Sequence, residues 1–175
     1  EEELEYDEIS KNISKLFAQL KSNKDQDFHT ILKKRIDLLL FKRSRLVNES
    51  TERKYVATHL IIKNNDRKKI IFCETVRQAE QIKEECLKKK LDTLIYHSRM
   101  SRKDRLFALN SFYSNHYNTL IGCRALDEGF DVPDIDFAII VSQTKTKRQR
   151  IQRLGRTIRK NKNKKPPIIY TLYTY

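Results

Sequence analysis

Residues 69–97 read KIIFCETVRQAEQIKEECLKKKLDTLIYH, and their texture decides the fold. "KIIFC" (69–73) is a short apolar run bounded by charge, the pattern of a strand buried on both faces. "TVRQAEQIKEECLKKK" (75–90) has helical periodicity, and "LDTLIYH" (91–97) reads as a second strand. The alternation continues downstream. "SRKDRLFALNSFYS" (101–114) reads as helix, and "YNTLIGC" (117–123) and "IDFAIIVS" (135–142) as strands. "KTKRQRIQRLGRTIRK" (145–160) reads as helix, and "PPIIYTLYTY" (166–175) as a last strand. Strands alternating with helices call for right-handed crossovers and a mostly parallel sheet covered on both faces. In such a sheet, ligands bind beyond the C-terminal strand ends. That rim holds Cys73–Thr75, His97–Ser101, Cys123–Asp131 and Ser142–Thr146.

Upstream the periodicity is helical throughout. Ile9, Ile13, Leu16, Phe17 and Leu20 form one stripe, and "KSNKDQD" (21–27) interrupts it. Phe28, Ile31, Leu32, Ile36, Leu39 and Leu40 form a second. A third segment carries Leu46, Val47, Val56, Leu60, Ile61 and Ile62. These stripes predict two or three amphipathic helices whose task is packing. The expected organisation is a helical extension over 1–53 and an α/β domain over 54–175.

Charge narrows the partner class. The chain has 175 residues with 37 Lys or Arg against 23 Asp or Glu, a formal net of +14. "EEELEYDE" opens it with six acids, whereas Lys145 to Lys165 holds eleven bases and no acid. A block of that kind suits a polyanion such as nucleic acid. Ile151, Leu154 and Ile158 interleave with it at helical spacing, which argues for a docked helix over a disordered tail. Three cysteines without a C-x-x-C spacing indicate neither a disulfide framework nor a zinc site. A reducing, cytoplasmic compartment is the expectation. The acidic start does not resemble a signal peptide, and no apolar run reaches membrane-spanning length.

A phosphate loop of the G-x-x-x-x-G-K-[ST] type is excluded. The only glycines are Gly122, Gly129 and Gly155, and none has a second glycine five residues on. "LDEGFDVPDID" (126–136) follows a strand, so Asp127 and Glu128 fall in a loop or short helix that can touch a ligand or merely turn the chain. In "QRIQRLGRTIRK" (149–160), Arg153, Arg156 and Arg159 recur every three residues and share a helix face. Such a face can be solvated, can meet nucleic-acid phosphates, or can clamp a transition state. Arginine suits the last two because its planar fork matches phosphate and stays charged.

Four segments in order resemble the second RecA-like domain of superfamily-2 helicases and translocases. "IIFCET" (70–75) resembles motif IV. "YHSRMSRKDR" (96–105) resembles the segment with a His-Gly-Gly-like turn. "TLIGCRALDEGFDVPDIDFAII" (119–140) is similar to motif V, and "QRIQRLGRTIR" (149–159) to motif VI. The resemblance covers about residues 54–175 and implies a RecA-like three-layer α/β sandwich. "LDEGFDVP" and "QRLGR" are similar to the group of XPB-like, phage and restriction-motor helicases, which favours DNA over RNA. DEAD-box RNA helicases usually carry His-Arg where this chain has Gln152-Arg153.

By motif position, Arg156 and Arg159 are implied to be arginine fingers, with Gln152 close to the γ-phosphate. Arg153 is implied to join motif VI to its neighbours beside the nucleotide. Gly129 is implied to let the backbone approach the nucleotide, and Asp131 to accept a ribose hydroxyl. Thr75, His97, Ser98, Arg99, Cys123 and Arg124 are implied to line the nucleic-acid track. Cys123 stands where many relatives have a threonine, and Ser98-Arg99 where many have two glycines. His97 at a strand end is expected to serve as a hydrogen-bonded turn residue. ATP and Mg²⁺ are implied to be held mainly by a first RecA-like domain that this sequence does not contain, and this domain holds no metal of its own. The isolated chain is therefore expected to be inactive as an ATPase. The alternative is a nucleic-acid-binding or regulatory module that keeps the fold without the motor.

Overall fold

The structure is a computed structural model that describes residues 1–23, 25–123, 135–141 and 166–173. The chain forms two compact units, Glu1–Ser50 and Thr51–Tyr175. Each is built from the stripes noted above.

The first unit is an antiparallel helical hairpin. Helix α1 spans Glu2–Ser22 and α2 spans Gln26–Asn48. Glu2, Glu3 and Glu5 sit in the first turn of α1, where negative charge complements the helix dipole. Asp25 caps α2 by accepting hydrogen bonds from the N–H groups of Asp27 (2.9 Å) and Phe28 (3.4 Å). Leu16, Leu32 and Ile36 form the seam, with Leu20, Leu39 and Leu40 packed against it. Near the open end, Lys42 pairs with Glu5 at 2.8 Å, and the Arg43 guanidinium lies over the Tyr6 ring.

The second unit opens with α3 (Thr51–Lys63) and continues as β1 (Lys69–Cys73), α4 (Val76–Lys88), β2 (Leu94–Tyr96) and α5 (Arg102–Tyr113). It ends with β3 (Thr119–Cys123), β4 (Phe137–Ile140) and β5 (Ile168–Thr171). The five strands form one sheet in the order β2-β3-β1-β4-β5, and every pairing is parallel. The mostly parallel sheet expected from the alternation is thus parallel throughout the described strands.

Strand alternation sorts the core into two layers. Ile71, Cys73, Ile121, Cys123, Phe137, Ile139 and Val141 face α3 and α4, where they meet Ala57, Ile61, Ala79, Ile82 and Cys86. Ile70, Phe72, Leu120, Ala138 and Ile140 face the other way and meet Ala108 and Phe112 of α5. The two crossover helices lie on opposite faces because the chain reverses direction at β2. A fixed crossover hand then requires α4 on one side and α5 on the other.

β2 is shorter than the run 91–97 suggests. Helix α4 ends in a Schellman motif, with Lys90 left-handed (φ 58°). The Leu91 N–H returns to the Cys86 carbonyl, and the Lys90 N–H to that of Leu87. Leu91 is the apolar residue of this motif and packs on the core. The helix exit therefore consumes the first residues of "LDTLIYH".

Candidate functional site

All five strands point one way, so their C-terminal ends share one edge. Register places Cys73 beside Cys123, Tyr96 beside Gly122, and Phe72 beside Ile140. Along the rim, His97, Cys123, the Glu74–Thr75 turn and Val141 therefore follow one another in strand order.

Thr75 is half-buried and caps α4, its hydroxyl accepting the Gln78 N–H at 3.1 Å. The Gln78 side chain returns to the Glu74 N–H at 3.0 Å. Thr75 thus shapes the motif IV turn. Cys123 is buried, and its thiol donates to the Glu74 carbonyl at 3.2 Å. That bond ties the end of β3 to the turn after β1, so the side chain joins the core cluster and not the exposed rim.

His97 is 7% exposed, and its Nε2 lies 3.8 Å from Glu80. Burial lowers its pKa below 6.5; Glu80 pulls the other way, while Arg99 and Lys83 add to the lowering. The lowering favours the neutral ring, and the Glu80 contact is an ion pair only when the ring is protonated. Its Nδ1 is buried with no hydrogen-bond partner among the described residues. The His97 carbonyl accepts from the Met100 N–H at 3.2 Å, which closes a turn over Ser98 and Arg99.

Ser98 and Arg99 are exposed. Ser101 caps the helix that follows, accepting the Asp104 N–H at 3.1 Å and donating to the Asp104 carboxylate at 2.7 Å. Arg102 and Lys103 are also exposed in that first turn. Three cations thus gather at a capped helix N-terminus, an arrangement that attracts phosphate. Arg102 and Lys103 lay within the quoted segment but were not singled out in it; their place in the first helical turn is what makes them neighbours of Arg99. Residues 1–50 carry ten bases and ten acids, so the whole net charge of +14 belongs to the second unit.

Arg53 was missed by motif reasoning. It is 3% exposed, and its Nη1 donates to the Val141 carbonyl at 2.7 Å. Its signal was present as an i, i+4, i+8 stripe with Ala57 and Ile61, a cation on the inward face of a helix. Arg124, Gly129, Asp131, Gln152, Arg153, Arg156 and Arg159 lie outside the described residues. Among the described residues, no group of three or more His, Cys, Asp or Glu could hold a metal ion, and no helix is long and apolar enough to cross a membrane.

A parallel sheet of this order, with the motif IV turn and the end of the motif V strand at one rim, fits the second RecA-like lobe that the sequence resemblance implies. Residues 52–161 match the family model described as "Helicase conserved C-terminal domain". The chain belongs to that family. It is 28% identical over 170 residues to the DNA 3'-5' translocase XPB2 of Sulfurisphaera tokodaii, covering 91% of this chain and 38% of that protein. It is 29% identical over 90 residues to nucleolar RNA helicase 2-B of Xenopus laevis, covering 51% of this chain and 11% of that protein. The fold is also that of the Pyrococcus furiosus Hef helicase domain, with a TM-score of 0.54 and 21% identity, covering 92% of this chain and 34% of that one. The chain therefore spans less than two fifths of each of these proteins.

Proposed function

We propose that this chain is the second motor lobe of an ATP-dependent DNA helicase or translocase, supplying arginine fingers and part of the nucleic-acid track. The observation that carries this reading is the rim. Motif IV and motif V strand ends are tied together by the Cys123–Glu74 bond, while the sequence offers arginines for a γ-phosphate and no loop to hold one. ATP and Mg²⁺ belong mainly to a first RecA-like lobe.

Arg156 and Arg159 reach the γ-phosphate when the lobes close, with Gln152 beside it and Arg153 linking motif VI to its surroundings. Gly129 permits close backbone approach, and Asp131 accepts the ribose hydroxyl. Ser98, Arg99 and Arg124 hold one strand by its phosphates, largely without reading sequence. The side chains of Thr75, His97 and Cys123 shape the turns beneath that track. DNA is favoured because the match to a DNA translocase runs over nearly the whole chain, whereas the match to an RNA helicase covers half of it. The three buried free thiols suit a reducing, intracellular setting.

The test uses the full-length protein. Arg156→Ala should lower DNA-stimulated kcat by about 10³-fold or more and leave ATP affinity within a few-fold, because a finger acts in the transition state. Lost ATP binding with kcat intact would refute the finger role. The purified chain alone should show no ATPase. Nucleic-acid-stimulated turnover by the chain alone would overturn its dependence on a first lobe. A full-length protein without a phosphate loop would identify a binding module instead of a motor.

A further inference from the structure

We infer that the outer face of α5 carries a single strand past the 98–99 turn, with Phe107 stacking on a base while Arg102 and Lys103 hold its phosphates. The inference rests on the reading of Ser98 and Arg99 as part of the nucleic-acid track. α5 sends its two phenylalanines opposite ways. Phe112 is fully buried against the sheet, whereas Phe107 is 61% exposed. Leu106 beside it is 50% exposed. Packing explains Ala108 and Phe112, which share the inward face, and leaves Leu106 and Phe107 unaccounted for. Lys103 and Phe107 are four residues apart, as are Arg102 and Leu106, so each cation neighbours an apolar side chain on the outer face.

The setting supplies the partner. An exposed apolar side chain alone needs no explanation. From Ser98 to Ser114, however, stand the four bases Arg99, Arg102, Lys103 and Arg105 against one acid. That acid, Asp104, is engaged by the Ser101 hydroxyl at 2.7 Å in the helix cap. Among the described residues, Arg99, Arg102 and Lys103 form no ion pair. The face is therefore cationic and favours an anion. A stable protein partner would need about 800 Å² of surface with an apolar centre. Leu106 and Phe107, even with Tyr113 two turns on, are too few to provide it. One ring face is enough for one base, and stacking tolerates any base. Four residues of helix rise about 6 Å, so a phosphate held by Lys103 leaves its base within reach of the ring. Bases stack on a side chain only where they are unpaired, so the ligand is single-stranded.

The experiment measures binding of the full-length protein to single-stranded and duplex DNA of one sequence across a salt series. Parent, Phe107→Ala, Phe107→Tyr, Lys103→Ala and Arg99→Ala are compared. A fluorescent adenine analogue, moved along the single strand one position at a time, reports stacking. Phe107→Ala should weaken single-strand affinity by about 5-fold to 100-fold. Its salt slope should match the parent's, because no charge is lost. Its duplex affinity should stay within about twofold of the parent's, because paired bases do not reach the ring. Phe107→Tyr keeps a ring and should stay within about threefold on the single strand. Lys103→Ala should lower the salt slope by about 1. The analogue should show a stacked signal at one strand position that Phe107→Ala abolishes. Phe107 faces solvent and alanine is the best helix former, so Phe107→Ala should keep the parent's Tm. Single-strand affinity within about twofold of the parent in Phe107→Ala overturns the inference and leaves the face to a protein partner. An equal loss on duplex, a loss in Phe107→Tyr as large as in Phe107→Ala, or an unchanged slope in Lys103→Ala also overturns it. A parent without salt-sensitive DNA binding, or an unchanged slope in Arg99→Ala, sinks the track reading and this extension with it. A lowered slope in Arg99→Ala beside unchanged single-strand binding in Phe107→Ala sinks the extension alone.

Discussion

Lys69 opens β1 with no exposed surface. Its ammonium donates to the carbonyl of Arg67 at 2.8 Å and to that of Asn65 at 3.4 Å. Burial lowers its pKa from 10.5 to about 8, against the opposing pull of Asp66, Asp136 and Cys86. The unfolded chain keeps this proton up to 10.5 and the folded chain only to about 8. Between those values the unfolded state binds more protons, so stability rises with pH. The full gap corresponds to about 3 kcal/mol, most of which is recovered between pH 7 and pH 10. Lys69→Met keeps the stem length and removes the titration. Urea unfolding of parent and variant at pH 7, 8, 9 and 10 isolates the effect as their difference. Parent stability should climb relative to the variant by about 2–3 kcal/mol across that range. Cys86 works the other way, since burial pushes its thiol from 9.0 up to about 11 and costs stability above pH 9. It is present in both proteins, and its coupling to Lys69 is the smallest influence on either group, so most of its own contribution cancels in the difference. A difference flat to within about 0.5 kcal/mol from pH 7 to pH 10 would refute the reasoning.

Two further outcomes follow from the same structure. Ile71 is fully buried at the centre of the sheet between Ile121 and Ile139, so Ile71→Ala should cost about 2–5 kcal/mol in urea unfolding. A loss under about 1 kcal/mol would mean that this face of the sheet is not the packed core described. Arg99→Ala in the full-length protein should reduce the slope of log affinity against log salt by about 1, with a similar loss on every sequence. An unchanged slope would remove Arg99 from the track.

Much of the layout was legible before any coordinates. The run "KIIFC" announced a strand buried on both faces because the four consecutive apolar residues Ile70 to Cys73 leave neither face polar. "TVRQ" and "SRKD" announced helix starts, since Thr75 and Ser101 stand three residues before a polar partner that closes the cap. The start of β2 was less legible. "LDTLIYH" is apolar enough to be strand from its first residue, but Lys90 adopts a left-handed turn that lets α4 claim Leu91. Cys123 shows the same limit at the site. Its motif position placed it on the implied nucleic-acid track, but only the packed sheet reveals that its thiol donates to the Glu74 carbonyl.

What the sequence determined by itself was the set of described elements (the helix expected over 145–160 lies outside the described residues), the parallel class of the sheet, the concentration of charge and the lack of a phosphate loop. Periodicity and residue type carry those properties, and both are local. The tertiary structure decided the strand order β2-β3-β1-β4-β5, and with it which turns meet at the rim. It also decided which polar side chains are buried: Arg53 against Val141, Lys69 beneath Arg67, and Cys123 against Glu74. A hydrophobic stripe states which way a residue faces but not what it faces. Those partners lie 88, 2 and 49 residues apart, and for the two distant pairs only the packed sheet brings donor and acceptor together.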